Sequence, residues 1–418
     1  MKANISRIKV FGISILFIGI LLYACGGEKS SKSEYEESVL NLGPMVRIEA
    51  ADAHLPYLFT QENKVFLSWV GKSQEKSQLF FNQILDSHLG PIELVAEGDD
   101  WFVNWADYPQ ISTFKDGSLL AVFLKKSGPG TFSYDVLYTI SKNSKDWSEP
   151  TVLHDDKTQT EHGFVSMIAW GDNMLLTWLD GRNTLASQNS TGHHHHGQMT
   201  LRAAMIDSNG RKLEDWELDD RVCDCCQTGT IMSGNGPLVV FRDRSENEIR
   251  DIGLVRWMDG EWTQTQPVSM DLWEIAACPV NGPRISSYQN VVGITWFTAA
   301  KGQPAVKISF SKDNGKTFEN PIRTDDGKPI GRVGIEMLNE ESAFVIWMEN
   351  QRIMGRVVNI SGKLGPPLKL TKTSEDRSSG FPQMKRLSDK LWFAWTVEEK
   401  EFKEIQTGSI LIDALKFP

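Results

Sequence analysis

The sequence predicts an all-β fold, a β-propeller of seven four-stranded blades, and three observations support this prediction. First, a short apolar strand that ends in an aromatic residue recurs seven times. The aromatic residues stand 48 to 63 positions apart: Trp69, Phe123, Trp178, Phe241, Trp296, Trp347 and Trp395. Second, another apolar segment precedes each copy and an alternating strand follows it. Repetition of this kind is typical of propellers, so it outweighs the two or three domains that 418 residues would otherwise suggest.

The third observation concerns the outermost strand of each blade. A short segment of the pattern Gly/Pro-Pro-apolar-x-apolar follows the repeats, for example at residues 90–94, 150–153 and 365–370. The final repeat lacks this segment, but residues 43–48, ahead of the first repeat, fit the pattern. We therefore predict that this N-terminal strand completes the last blade and closes the ring, which leaves no exposed sheet edge. The propeller then spans residues 43–418, and a six-bladed ring with one degenerate repeat is the alternative.

Composition limits the possible partners. The formal net charge is −10 and the chain has no block of basic residues, which argues against nucleic acid as a partner. Fourteen tryptophans and thirty-four glycines favour β-structure with many turns.

The N-terminus resembles a bacterial lipoprotein signal. Three basic residues precede an apolar run over residues 10–22, which is too short to form a membrane-spanning helix. An alanine followed by Cys25 resembles a lipoprotein cleavage site, so we expect a signal over residues 1–25 with Cys25 lipidated; a plain signal peptide is the alternative. Residues 26–42 predict a disordered tether. The expected location is the cell envelope, with the lipid in a membrane and the protein facing the periplasm or the cell exterior.

One stretch carries a family resemblance. The sequence from Ser311 to Phe318, Ser-Lys-Asp-Asn-Gly-Lys-Thr-Phe, resembles the Asp-box of the sialidase/BNR-repeat propellers, and residues 141–147 are a shortened copy. The resemblance implies that Ser311, Asp313, Gly315 and Phe318 hold the turn between the third and fourth strands of a blade, distant from any active centre. It supports the propeller prediction but indicates no chemistry, because a fold does not carry a function with it.

The resemblance also implies what a catalytic sialidase needs. Enzymes of that family hold the substrate carboxylate with three arginines, attack through a tyrosine activated by a glutamate, and protonate the leaving group with an aspartate. The first arginine is expected in a Phe/Tyr-Arg-Ile-Pro motif, but Arg47-Ile48-Glu49 lacks the proline and falls in the closing strand. The tyrosine is expected in the later blades, but Tyr288 is the last tyrosine of the chain. The chain is therefore not a close match to catalytic sialidases, and its enzymatic activity stays an open question.

Ligand-binding residues are expected on one face of the propeller. In this fold, the loops leading into the inner strands and the loops joining the second to the third strands open on the same face. These loops carry the candidate ligand-binding residues Asp107, Asp180, Arg182, Gln227, Arg242, Arg244, Arg250 and Asn281. A guanidinium group suits a carboxylate, sulfate or phosphate, so the arginines predict an anionic ligand, an acidic glycan included. Ion pairs with neighbouring carboxylates, such as Asp243 and Glu248, are the alternative explanation.

Four cysteines are expected on the same face. Cys223, Cys225 and Cys226 lie within four positions, and Cys278 precedes the inner strand of the next blade. A bridge between Cys225 and Cys226 would be strained, because adjacent Cα atoms are about 3.8 Å apart and disulfides need about 4.4–6.8 Å. Structural disulfides in other pairings, a thiolate metal site and a free reactive thiol all stay open.

A metal site at these cysteines would take a soft ion. Thiolate with imidazole suits copper(I) or zinc, and His54, His162 or one of His193–His196 would complete the ligand set. The four consecutive histidines also fit a solvated loop that chelates metal incidentally.

Three functions are therefore considered. The first is an extracytoplasmic, lipid-anchored module that binds an anionic glycan or metabolite at a mouth lined by cysteine, histidine and arginine. The second is a copper- or zinc-dependent propeller, either an enzyme or a metal handler. The third is a glycoside hydrolase that uses carboxylates such as Asp107, Asp180 and Asp243.

Overall fold

The computed structural model describes residues 38–39, 42–43, 46–48, 52–86, 88–187, 197–399 and 402–417. The expectations for the export signal, for Cys25, for most of the tether and for His193–His196 lie outside these residues. Within the described ranges, no helix combines the length and the apolar character needed to cross a bilayer.

The described strands form seven sheets, and each sheet is one blade whose strands run antiparallel from the inner strand to the outer strand. Blade 1 comprises His54–Gln61, Lys64–Ser73, Lys76–Ile84 and Glu93–Gly98, and blade 2 comprises Gln110–Thr113, Leu119–Lys126, Tyr134–Ser141 and Thr151–Val152. Blade 3 comprises His162–Trp170, Asn173–Asp180, Met199–Ile206 and Lys212–Val222. Blade 4 comprises Gly229–Ser233, Gly236–Arg242, Ile252–Met258 and Gln266–Ser269. Blade 5 comprises Arg284–Tyr288, Val291–Thr298, Ala305–Ser311 and Ile322–Arg323. Blade 6 comprises Gly331–Met337, Ser342–Glu349, Arg352–Asn359 and Leu368–Lys372. Blade 7 comprises Gln383–Leu387, Lys390–Glu399, Phe402–Leu411 and Val46–Ile48. In blade 4, the short strand Glu261–Trp262 also pairs with the end of Ile252–Met258. The helices of the described ranges are four 3₁₀ turns: Arg182–Ser187, Ala300–Gly302, Arg377–Ser379 and Ile412–Ala414.

The seven blades close into a ring. Each inner strand contacts the inner strands of both neighbouring blades. Blade 7 is completed by Val46–Ile48, which pairs antiparallel with Phe402–Leu411 and places Ile48 opposite Ile405. The prediction of seven blades closed by an N-terminal strand is confirmed, and the six-bladed alternative is wrong. Two residues of the predicted tether, Ser38–Val39, add a parallel strand beside Leu368–Lys372.

The recurring aromatic residue fills the space between neighbouring blades. Five of the seven are tryptophans that are at most 2% exposed: Trp69, Trp178, Trp296, Trp347 and Trp395. Trp69 packs in one core cluster with Ile405 of blade 7, and Trp395 packs in another with Phe344 of blade 6. An aromatic side chain buries about 150–250 Å², which stabilises the fold by about 4–6 kcal/mol at about 25 cal/mol per Å². The sequence repeat therefore reflects the regular spacing of the buried aromatic side chains that pack between neighbouring blades.

Bulges bend the start of three inner strands. In blade 3, the pairing with the second strand shifts between Gly163 and Ser166, and Phe164 at this shift has a φ of 56°. Blades 1 and 6 have the same bulge at Leu55 and Arg332, with φ values of 56° and 53°. Such backbone is uncommon for residues other than glycine, and bulges often re-aim side chains next to functional sites. All three bulges lie on the face where the leading loops open.

The opposite face carries the turn that resembles an Asp-box. Oγ of Ser311 donates to the Asp313 carboxylate at 2.7 Å, and the amides of Lys316 and Thr317 donate to the same carboxylate at 3.0 and 2.9 Å. Gly315, with a φ of 77°, supplies the left-handed turn. The turn joins the third and fourth strands of blade 5, so it lies at the end of the sheet away from the cysteine-bearing loops.

Candidate metal centre

Two loops carry the four cysteines to one face of the propeller. The first loop contains Cys223, Cys225 and Cys226, and it connects the outer strand of blade 3 to the inner strand of blade 4. A hydrogen bond from the Cys223 amide to the Arg242 carbonyl, 3.0 Å long, fixes the point where the chain leaves blade 3. The second loop contains Cys278 and leads into the inner strand of blade 5. Because the two loops precede neighbouring inner strands, the fold brings them together.

Three of the four sulfur atoms converge. The Sγ atoms of Cys223 and Cys226 are 3.2 Å apart, and those of Cys223, Cys225 and Cys226 lie within 4.8 Å of one another. Cys278 lies beside this group, on the cleft that Asp224 and Arg250 also line. All four are free thiols, of which Cys223 and Cys226 are buried and Cys278 is exposed. The cluster therefore has a side enclosed by protein and one thiol at the surface.

One thiol of the cluster is favoured as a thiolate. Burial alone would raise the pKa of Cys223, but the neighbouring thiols and the charge of Arg250 hold this pKa well below its usual value. Nη1 of Arg250 donates to Sγ of Cys223 at 3.2 Å. The hydrogen bond with Cys223 is the main reason that the pKa of Cys278 is raised to about 12. Neighbouring thiolates repel one another, so further ionisation of the cluster requires an added positive charge.

Two of the predicted ligand-binding arginines border the cluster and already have partners. Arg244 donates to Glu248 at 2.7 Å and to Asp224 at 3.1 Å. Arg250 donates to Glu248 at 2.8 Å. The arginine side chains are 12% and 3% exposed. Charge-assisted hydrogen bonds of this kind are strong, so an anion that bound here would have to compete with Asp224 and Glu248.

A third predicted arginine, Arg242, holds main-chain groups together. Its Nε and Nη2 donate to the Asn281 carbonyl at 3.1 and 2.8 Å. Nη2 also donates to the Phe297 carbonyl at 2.7 Å, and Nη1 donates to the Arg250 carbonyl at 2.6 Å. The guanidinium group lies 5.0 Å from the ring centroid of Trp273. Arg242 is 2% exposed, so the structure places it inside the protein rather than at the open mouth.

Two predicted amide ligands, Gln227 and Asn281, connect the leading loops of several blades. Nε2 of Gln227 donates to the Ala106 carbonyl at 2.7 Å, and its Oε1 accepts from the Gly282 amide at 3.0 Å. Oδ1 of Asn281 accepts from the Arg332 amide at 2.7 Å. Gln227 therefore joins the loops of blades 2, 4 and 5, and Asn281 extends the connection to blade 6.

Another predicted pair, Asp180 and Arg182, forms a forked ion pair at the end of the second strand of blade 3. Arg182 donates from Nε to Oδ1 and from Nη2 to Oδ2, each at 2.8 Å. Nε1 of Trp178 donates to the same carboxylate at 2.8 Å. Burial opposes ionisation of Asp180, but the hydrogen bonds with Arg182 and the charge of His162 outweigh it and lower the pKa. Each of the two side chains therefore already has a hydrogen-bonded partner of opposite charge.

The structure does not bring His54 or His162, the two predicted histidine ligands that it describes, to the cysteines. Nδ1 of His54 donates to the Asp52 carbonyl at 2.7 Å. His162 faces blade 2, where its ring stacks on that of His154 with centroids 3.6 Å apart. Among the residues that the structure describes, three groups of side chains could share a metal ion, and none combines cysteine with histidine. The physical reason is topology, since His54 begins blade 1 and His162 lies on the side of blade 3 opposite the cysteine loop.

A cleft of about 630 Å³ opens beside the cysteine cluster. Its lining includes Glu161, Asp224, Arg244, Arg250 and Cys278. The cleft is thus polar and carries charges of both signs. Cys278 is the cysteine that borders the cleft, so a molecule or ion in the cleft reaches the cluster through this thiol.

A cluster of two carboxyl groups and a tyrosine lies next to the cleft. Asp107 was predicted from the sequence, whereas Tyr134 and Glu161 were not. Oη of Tyr134 donates to Glu161 at 2.8 Å and lies 3.5 Å from Oδ2 of Asp107. Burial raises the pKa of Asp107 to about 7 and that of Glu161 to about 8. A Cβ atom at Gly163 would lie 2.0 Å from the Asp107 carboxylate, so this position has room only for glycine. Carboxyl groups that titrate near neutral pH suit proton transfer.

Position within the repeat could have revealed the two missed residues. Tyr134 begins the third strand of blade 2, and Glu161 directly precedes the inner strand of blade 3. Both positions belong to the face where polar side chains were expected. The resemblance to sialidases implies a tyrosine in the later blades, whereas Tyr134 lies in blade 2.

Comparison with known proteins gives distant structural matches. No family model and no curated protein sequence matches the chain. A protein of unknown function from Dyadobacter fermentans aligns at 14% identity with a TM-score of 0.49, covering 75% of this chain and 97% of that one. The NanB sialidase from Streptococcus pneumoniae aligns at 9% identity with a TM-score of 0.47, covering 84% of each chain. An α-L-arabinofuranosidase from Fusarium graminearum aligns at 10% identity with a TM-score of 0.48, covering 91% of this chain and 98% of that one. The propeller assignment stands on the strand pairing described above, and no activity is carried over from these proteins.

Proposed function

We propose that this protein is a metal-binding propeller that holds one soft ion, copper(I) or zinc, on the thiolates of Cys223, Cys225, Cys226 and Cys278. The observation that carries the proposal is the convergence of the sulfur atoms of Cys223, Cys225 and Cys226 on one face, with Cys278 on the adjoining cleft. Sulfur ligands select copper(I) and zinc over harder ions. Four thiolates form a complete tetrahedral set for zinc.

The same convergence favours a metal site over two disulfides. The sulfur atoms of Cys223 and Cys226 are 3.2 Å apart, and that of Cys225 lies within 4.8 Å of both. A disulfide would join two of these three sulfur atoms and exclude the third, whereas a metal ion can bind all three. The positive charge of Arg250 beside Cys223 further favours thiolate over thiol.

The exposure of Cys278 suits capture and release of the ion. Cys223 and Cys226 are enclosed by protein, whereas Cys278 is exposed and borders the cleft. An incoming chelator or partner reaches the exposed ligand first, so the ion is exchanged from this side. Together with the expected lipid at Cys25, this supports a metal handler tethered in the cell envelope.

The contacts of the arginines support an anionic ligand, such as an acidic glycan, less well than the cysteines support a metal ion. Arg182, Arg244 and Arg250 are paired with carboxylates, and Arg242 is bound to main-chain carbonyls. Two of the three carboxylates considered for hydrolysis are similarly engaged, since Asp180 is held by Arg182 and Asp243 accepts from the Arg244 amide at 2.7 Å. Metal binding is therefore the function that these contacts favour over glycan chemistry.

The proposal predicts that the mature protein, purified without chelator, carries one equivalent of copper or zinc. Elemental analysis measures the stoichiometry and identifies the ion, and X-ray absorption should show sulfur neighbours. Replacing Cys278 by serine should weaken binding by about 100-fold or more, because even changes to outer-shell partners cost about 10–100-fold. Competition with a copper(I) or zinc chelator measures this loss.

Ala277→Ser is the matched control, because it places the same side chain on the neighbouring exposed residue of the same loop. This variant should bind the ion as tightly as the parent protein. Protein prepared under anaerobic conditions that contains two disulfides and no stoichiometric ion would overturn the proposal. Equal affinities of Cys278→Ser and the parent would remove Cys278 from the ligand set.

A further inference from the structure

A second group of possible metal ligands lies between blades 2 and 3, and the function proposed above does not use it. This group, the histidine pocket, consists of Asp135, His154, Asp156, His162 and Asp180. Asp135 belongs to the third strand of blade 2, and His154 and Asp156 follow the outer strand of the same blade. His162 begins the inner strand of blade 3, and Asp180 ends its second strand. The pocket therefore forms through the packing of two neighbouring blades.

The two imidazole rings of the pocket are stacked and buried. The ring centroids of His154 and His162 are 3.6 Å apart, and the ring planes differ by 5°. The side chains are 2% and 0% exposed. Two positive charges at this distance inside a protein would repel each other strongly. A metal ion held by both rings requires each ring to be neutral, since neutral imidazole is the form that binds metals.

Asp156 contacts one nitrogen of each ring. Its Oδ1 lies 2.5 Å from Nδ1 of His154, and its Oδ2 lies 3.2 Å from Nε2 of His162. When Nδ1 of His154 donates a hydrogen bond to Asp156, Nε2 of the same ring keeps a free lone pair. Nδ1 of His162 lies 3.3 Å from two carbonyl oxygens, so it would give up its hydrogen on binding a metal ion. A carboxylate that fixes the tautomer in this way is the usual partner of a metal-bound histidine.

The remaining nitrogens face an unsatisfied carboxylate oxygen. Nε2 of His154 and Oδ1 of Asp135 are buried without a hydrogen-bond partner and lie 3.4 Å apart. Nδ1 of His162 lies 4.0 Å from the same oxygen, and the three ligand atoms lie within 4.8 Å of one another. The carbonyl oxygens of Tyr134 and Thr160 approach Nδ1 of His162 at 3.3 Å. Buried polar atoms without partners are costly, and one cation at this point would satisfy several of them.

The charge of the pocket also favours a cation. Of its three carboxylates, Asp180 is paired with Arg182. In the part of the chain that the structure describes, the ion pairs of Asp135 and Asp156 are made with the two histidines alone. The pocket therefore places two carboxylates beside the two rings without a lysine or arginine partner, and a divalent cation bound by the rings would balance their charge.

We propose that the histidine pocket is a second metal site, for a divalent first-row ion such as zinc, with His154 Nε2, His162 Nδ1 and the Asp135 carboxylate as ligands. Two imidazoles and one carboxylate are a ligand set of known zinc and non-haem iron sites. Asp156 is a positioning residue that orients both rings. The site uses nitrogen and oxygen donors rather than sulfur, so it is independent of the cysteine cluster.

The test measures the binding of zinc and of cobalt(II) to the mature chain, with His193–His196 replaced by serine so that this histidine run adds no background. One sample keeps its thiols free and a second has them blocked by alkylation, and circular dichroism checks that both are folded. We expect one equivalent of zinc in the blocked sample and two in the free one. The cobalt spectrum of the blocked sample should lack the thiolate charge-transfer band.

Three variants assign the site. Asp135→Asn and His154→Gln should each weaken zinc binding to the blocked protein by about 100-fold or more, because outer-shell changes already cost about 10–100-fold. His88→Gln is the matched control, since His88 is an exposed histidine of blade 1, and it should bind like the parent. Asp135 is partly exposed, so its variant keeps the test decisive if His154→Gln does not fold.

The two proposals fail in different ways. Folded, blocked protein that takes up no zinc would overturn the histidine pocket as a metal site, and so would unchanged affinity in Asp135→Asn. In that case the two histidines form ion pairs with Asp135 and Asp156 without a metal. Failure of the cysteine site would instead appear as equal metal uptake by the free and the blocked samples.

Discussion

At the turn between the third and fourth strands of blade 5, the Asp313 carboxylate accepts hydrogen bonds from Ser311, Lys316 and Thr317. Burial works to raise its pKa, but these hydrogen bonds outweigh burial and hold the pKa at about 2. The unfolded chain has the ordinary value of about 3.9. A carboxyl group with a lowered folded-state pKa stabilises the fold above the unfolded value and loses this contribution as the pH falls through the folded value. Asp313 therefore stabilises the turn at neutral pH and less so in acid.

Replacing Asp313 by alanine should lower the free energy of unfolding at neutral pH by about 1–2 kcal/mol, because it removes a charged hydrogen-bond acceptor. The difference from the parent should shrink at about pH 3, below the unfolded-state pKa. Urea denaturation at both pH values measures it. Asp313→Asn is the control, because Asn143 accepts the corresponding amides of Lys145 and Asp146 in the shortened copy, so asparagine should cost less. Equal stability of the alanine variant and the parent at neutral pH would contradict this role.

At the residue scale, the sequence predicts local patterns better than long-range partners. The Asp-box is contained in eight consecutive positions, so its residues could be identified without a structure. The partners of Arg242 and Gln227 are main-chain atoms of other blades, and no pattern in the sequence marks them. His154 was missed for the same reason, because its stacking on His162 arises where two blades meet.

At the scale of elements, the buried residue Arg242 makes hydrogen bonds to the loops that lead into blades 4 and 5. Arg242 ends the second strand of blade 4, and its guanidinium group binds the carbonyls of Asn281, Arg250 and Phe297. Asn281 belongs to the same loop as Cys278. The position of this loop, and with it the distance between Cys278 and the other thiols, therefore depends on Arg242.

Replacing Arg242 by methionine should lower the free energy of unfolding by about 3 kcal/mol or more, because each buried carbonyl left unpaired costs about 1–3 kcal/mol. It should also loosen the cysteine loops, so that the buried thiols react faster with an alkylating reagent. Arg386→Met is the control, since Arg386 in blade 7 is less buried and also donates to main-chain carbonyls. It should leave thiol reactivity unchanged. Unaltered thiol reactivity in Arg242→Met would show that the loops are held by other contacts.

At the scale of the whole molecule, the ring depends on the strand Val46–Ile48. Ile48 is 4% exposed and packs with Leu58 of blade 1 and Ile405 of blade 7. The strand therefore supplies both the last backbone pairing of blade 7 and part of the core between the last blade and the first.

Replacing Ile48 by aspartate should lower the free energy of unfolding by about 3–5 kcal/mol, since it removes buried apolar contacts and places a charge in the core. Arg47→Ser, on the exposed side of the same strand, should change it by less than about 0.5 kcal/mol. Thermal unfolding followed by tryptophan fluorescence measures both. Similar stabilities of the two variants would mean that the closing strand contributes little.

Most of the architecture could be predicted from the sequence, because the spacing of buried aromatic residues sets the spacing of the blades. The face that carries the cysteines followed from the same repeat. The division of metal-ligand residues into a sulfur cluster and a separate histidine pocket could not be predicted. It depends on which side of blade 3 each side chain occupies, and the repeat does not specify this.

The closing strand also determines when folding can finish. Oγ1 of Thr407 donates to the carbonyl of Val46 across 361 positions of sequence. A growing polypeptide emerges with its N-terminus first, so residues 46–48 wait unpaired until almost the whole protein has been synthesised. Contacts of such long range form slowly, and until they form, the strand Phe402–Leu411 of blade 7 presents an unpaired edge that invites aggregation. A chaperone that covers this edge would therefore be needed until the last step of folding, when Val46–Ile48 pairs with blade 7 and closes the ring.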